Sequence, residues 1–76
     1  IGFLDKYHYL MLPKEVDANL QGLRFESKKR KESMFDSVKR YLDLKQEMGE
    51  VNDETREVVL STWRRRAKEI GGIPKF

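Results

Sequence analysis

Two apolar stripes at helical spacing, broken by the four residues Gly49-Glu50-Val51-Asn52, restrict the fold of this chain more than any other feature. Met34, Phe35, Val38, Tyr41, Leu42 and Met48 recur along one face of a helix over residues 30–48. Gly49 suits the left-handed position that ends such a helix. Asn52 is a good N-cap for a second helix, because its side chain can accept from an otherwise unpaired N–H, and Asp53 and Glu54 favour the positive end of the dipole. This helix is predicted over residues 53–70, with Val59, Leu60, Trp63, Ala67 and Ile70 inward. Gly71-Gly72 stops it and Pro74 prevents a restart. So short a connection implies an antiparallel helical hairpin.

Upstream the pattern changes. Tyr7-His8-Tyr9-Leu10-Met11-Leu12 carries β-prone aromatics and no breaker until Pro13, which predicts a short strand or extended segment. Pro13 suits the first turn of a helix, where its missing N–H costs nothing, and Glu15 and Asp17 fall in the following turns. Val16, Leu20 and Leu23 give that helix one apolar face. Gly22, at about 1 kcal/mol against Ala, argues for a short element over residues 14–24. The expected fold is therefore mainly α: a short N-terminal strand or extended segment, then a small three-helix domain ending in the hairpin.

The 76 residues make one small domain, 1–76, which buries only about 60% of its unfolded surface. Association with a second copy or a partner is a natural supplement to so small a core. No cysteine is present, which removes disulfides and thiolate metal sites and points to an intracellular setting, cytoplasmic or nucleoid/nuclear. The longest apolar run, Tyr9 to Leu12, is far below the roughly 20 residues of a membrane span. A first residue of Ile rather than Met reads as a fragment or processed piece of a larger protein.

Positive charge is unevenly placed. Lys28-Lys29-Arg30-Lys31 and Arg64-Arg65-Arg66 with Lys68 hold half of the 16 Lys and Arg residues. Between them, residues 46–57 carry five acids and one base, so the net charge of +3 is the remainder of opposed blocks. Two basic surfaces flanking an acidic turn suggest an anionic partner, with nucleic acid the leading class. The first run is expected at the start of the second helix, where four cations oppose the positive end of the dipole and a bound phosphate would reverse the cost. On the last helix Arg64, Arg65 and Lys68 are expected to face solvent and to contact phosphate, while the stem of Arg66 covers apolar surface.

Catalytic chemistry has little to build on. His8 is the only histidine, and Ser27, Ser33, Ser37 and Ser61 have no second base to form a nucleophile–base–orienter set. No Gly-rich phosphate loop and no EF-hand spacing occur, so the expectation is no enzyme activity, no cofactor and no metal.

Residues 7–12 as a ribbon, Leu12-Pro13-Lys14-Glu15-Val16 as its junction with a helix, Leu20 and Leu23 on that helix, and Ser33 with Met34, Phe35, Val38 and Leu42 as cap and core face of the next together resemble the ribbon-helix-helix repressors of the Arc type. The resemblance covers residues 6–45 and implies DNA binding through a ribbon laid in the major groove. Tyr7, Tyr9 and Met11 stand where that family carries polar base readers, and the third helix is an addition.

The expected function is a small nucleic-acid-binding module, DNA before RNA, whose phosphate contacts are Lys28, Lys29, Arg30, Lys31, Arg64, Arg65 and Lys68. The alternative is a protein-interaction or homodimerising module that uses the aromatic N-terminal segment through Phe3, Tyr7 and Tyr9.

Overall fold

The computed structural model describes residues 6–76. Among these residues four helices form and no strand: α1 (Lys6–Tyr9), α2 (Pro13–Arg30), α3 (Met34–Glu47) and α4 (Asp53–Ile70). The expected strand over residues 7–12 is thus corrected to one helical turn followed by a turn at Leu10–Leu12, closed by Met11 N–H donating to His8 O at 3.0 Å. A lone strand has no ladder partner in this fold, and Leu and Met accept either state. Phe3 lies outside the described residues.

Pro13 opens α2 as expected, with extended Leu12 as its N-cap and Glu15 in the first turn. The helix then continues past Arg24 to Arg30, through an exposed Gly22. The inward face explains the extension. Val16, Leu20 and half-buried Leu23 are followed at the same spacing by Ser27, which is buried and returns its hydroxyl to Arg24 O at 2.8 Å. A small polar residue therefore holds the place that an apolar one would have marked in the sequence. Lys31 ends the helix in the left-handed region (φ 56°), its N–H reaching Lys28 O while Glu32 N–H reaches Ser27 O.

In α3, Ser33 caps the first turn by accepting from Asp36 N–H at 3.1 Å. Met34, Val38 and Leu42 enter the core, and Tyr41 packs against it. Phe35 (40% exposed) and Met48 (57% exposed) do not, against expectation. Phe35 stands about 100° around the helix from Met34, and Met48 lies past the last turn. Gly49 takes positive φ (78°) as expected. Asn52 and Thr55 form a reciprocal cap: Asn52 Oδ1 accepts from Thr55 N–H at 2.9 Å, and Thr55 Oγ1 accepts from Asn52 N–H at 2.8 Å.

The pairs Asp53–Gln46, Arg56–Asp43 and Trp63–Tyr41 run in opposite sequence order along α4 and α3, as in an antiparallel hairpin. Val59, Trp63 and Ala67 complete the core with Leu10, Val16 and Leu20. Farther along, the Arg66 guanidinium grips Asp17 at the start of α2, Nε to Oδ1 at 2.6 Å and Nη2 to Oδ2 at 2.9 Å. Helix α4 therefore runs from the end of α3 to the start of α2. After Gly71 the tail folds back, with Ile73 and Phe76 against the core. No described helix is long and apolar enough to cross a membrane.

Candidate nucleic-acid interface

Lys28, Lys29 and Arg30 occupy the last turn of α2, and Lys31 is its C-cap. The expected position at a helix N-terminus is corrected. The run sits at the negative end of a dipole, where cations are favoured by typically 0.3–1 kcal/mol each at low salt. The N-terminus of α3 that would have held a phosphate is filled instead by the Ser33 hydroxyl, with Glu32 and Asp36 beside it. It offers no anion site.

Ion pairs sort the basic residues into used and unused. Arg30 Nε holds Glu26 at 2.6 Å, one turn back on the exposed side of α2. Arg40 clasps Glu32 with both terminal nitrogens, and Ser37 Oγ donates to the same carboxylate, which holds the Glu32 carboxyl down at about 2. Arg56 holds Asp43 at 2.5 Å, and Arg66 holds Asp17 and Glu69. Asp17, Glu26 and Asp43 are each lowered below the usual carboxylate range, first by the guanidinium hydrogen bond and also by its charge. Among the described residues Lys28, Lys29, Lys31, Arg65 and Lys68 are exposed and in no ion pair.

Arg64, Arg65 and Lys68 project from the far half of α4, as expected. The Arg64 guanidinium turns to the Phe76 carbonyl. It shares with Lys68 a small cleft between α4 and the tail, to which Lys75 and Phe76 contribute. The sequence reading missed Lys75; the signal was Ile73 and Phe76, whose burial draws the tail, and Lys75 with it, onto α4. Arg66, expected at the stripe's edge, is spent on Asp17 and Glu69.

The structure does not bring the two clusters together. Arg66 ties the second cluster to Asp17 near the start of α2, and Arg30 is thirteen residues further along the same helix, about 20 Å at 1.5 Å per residue. Of the aromatic residues expected to meet a partner, Tyr7 packs against the core and stacks on His8 at 4.2 Å, while Tyr9 is exposed. Among the described residues no group of three His, Asp or Glu side chains is placed to hold a metal ion. No protein-family model, curated protein or solved structure matches this chain.

Proposed function

We propose that this domain binds the phosphate backbone of nucleic acid inside the cell, duplex DNA before RNA, through Lys28, Lys29 and Lys31 at one end of α2 and Arg65 and Lys68 at the other. Arg30 and Arg64 stand beside them and reinforce the field. One observation supports the reading: Arg30, Arg40, Arg56 and Arg66 are held in ion pairs, while these five cations, clustered at two ends of the bundle, are exposed and in no ion pair among the described residues. Five such contacts supply affinity without sequence preference. The separation of about 20 Å corresponds to some six phosphates of one strand at 3.4 Å rise, so a duplex of one helical turn reaches both ends. A ribbon in the major groove, as the ribbon-helix-helix resemblance implies, is not part of the proposal, because Tyr7–Tyr9 are helical.

Fluorescence anisotropy with a labelled duplex at two or more salt concentrations tests this. The parent should show a log–log slope of about −4 to −5, near −0.9 per phosphate neutralised. Changing Lys28, Lys29 and Lys31 together to Gln should flatten it by up to about 2.7. Absent or salt-insensitive binding, or an unchanged slope in the triple variant, would overturn the proposal.

A further inference from the structure

Gly22 and Phe25 are unexplained by the folded chain. Gly is among the poorest helix formers, yet Gly22 sits mid-helix on the exposed side of α2, where an added Cβ would meet nothing within 4 Å. Phe25 is 69% exposed, more than any other large apolar side chain described. With Ala18 and Lys29 these two residues recur at spacings of four, three and four, so all four share the face of α2 that points away from the core. Beside that face runs a groove between α2 and α3, floored by Ala18, Gly22, Leu23, Tyr41 and Leu44.

We propose that a second copy of this chain occupies this surface, with α2 packed antiparallel on its counterpart about a twofold axis. The face is self-complementary about its midpoint between Leu23 and Arg24. Reversing the helix there sets Phe25 of each copy over Gly22 of the other, a large side chain over open space, and lays the Lys29 stem over Ala18. Charge agrees with the reversal. The groove ends in Asp43 and Glu47 where α2 begins, and in Glu26, Arg30 and Arg40 where it ends. Asp43, Arg30 and Arg40 are paired within the chain, so among the described residues the free charges are Glu47 at the first end and the adjoining Lys29 at the second. Antiparallel pairing puts each acidic end over a basic one, whereas parallel pairing opposes like charges. The α2–α3 face measures about 27 by 20 Å from helix dimensions. The pair thus buries on the order of 1,000 Å², the low end for a specific interface, so the dimer is expected to be weak and concentration-dependent. It also sets Lys28 and Lys31 of one copy at the end where α4 of the other carries Arg65 and Lys68.

Sedimentation equilibrium without nucleic acid, from about 10 μM to 1 mM to bracket weak association, should show the mass of the parent rising from one copy toward two. Gly22→Leu fills the hole and improves the helix. It should stay monomeric over that range, with a melting temperature in dilute solution equal to or above that of the parent. Phe25→Glu should be monomeric as well. Glu47→Lys should weaken association, and adding Lys29→Glu should restore it. A strictly monomeric parent, or a Gly22→Leu variant that dimerises like the parent, overturns the proposal. Failure of the double exchange to restore association overturns the antiparallel register. Because no nucleic acid is present, the outcome is separate from that of the backbone-binding reading.

Discussion

Trp63 joins the last helix to the segment before Pro13 in two ways. Its ring is fully buried between Leu10 and Tyr41, and its Nε1–H donates to the Leu10 carbonyl at 2.8 Å, a bond that closes 53 positions of chain. Trp63→Ala should cost about 3–5 kcal/mol, the usual loss for a buried large aromatic. Trp63→Phe separates the two contributions, since it keeps most of the apolar contact but leaves a buried carbonyl unpaired, at about 1–3 kcal/mol. Urea unfolding of both variants checks this; a Phe variant as stable as the parent would show that the bond to Leu10 contributes nothing. The inward position of Trp63 was legible from its spacing with Val59 and Ala67, and the cap at Asn52 from the turn around it. The partner of the indole was not. Nothing local marks Leu10 as buried among exposed neighbours, and the run from Tyr7 to Leu12 carries the apolar content of a strand without the partner a strand requires.

Helix α2 shows how one misplaced boundary changes the physics of a charged run. Its six residues beyond Arg24 were illegible because Ser27 substitutes for an apolar residue on the buried face and Phe25 points outward. Ending the helix at Arg24 gives Lys28, Lys29, Arg30 and Lys31 to the start of the next helix, where they oppose its dipole and their removal would stabilise the fold. The structure reverses that sign. At the C-terminal end of α2 these cations lie at the negative end of the dipole, and Arg30 also holds Glu26. Changing all four to Gln should therefore destabilise the free domain, by about 1–2 kcal/mol in total at low ionic strength. The loss should shrink as salt is added, because exposed charges are screened. Thermal melts at low and high salt decide it: an equal or higher melting temperature for the variant would return the run to a helix start. The identity of the basic residues was thus plain in the sequence. Their electrostatic setting, and their distance from Arg65 and Lys68, depended on where α2 ended.

Around the core, three carboxylates tie the helices to one another. Asp17 ties α2 to α4, Asp43 ties α3 to α4, and Glu32 braces the α2–α3 turn through Arg40 and Ser37. All three are held below their ordinary values, Glu32 at about 2 by the Arg40 hydrogen bonds first and the Ser37 hydroxyl second. Their unfolded counterparts titrate near 3.9 for Asp and 4.3 for Glu. A depressed carboxylate adds stability that is complete above the unfolded value and lost as pH falls through the folded one. The domain should accordingly hold a nearly constant urea midpoint from pH 7 to about 5 and lose stability steadily toward pH 2, with every braced acid acting in the same direction. Glu32→Gln isolates one of them. The single Gln oxygen can still accept from Ser37 and one Arg40 nitrogen, but the charge and the second Arg40 bond are lost, so the variant should be less stable than the parent at pH 7 and fall less between pH 5 and 2. The two curves should approach each other at the acid end, where Glu32 of the parent is itself becoming protonated. Urea midpoints of both proteins at a series of pH values measure this, and a Gln variant that loses as much as the parent over the acid limb would show that the Glu32 brace is not formed in solution.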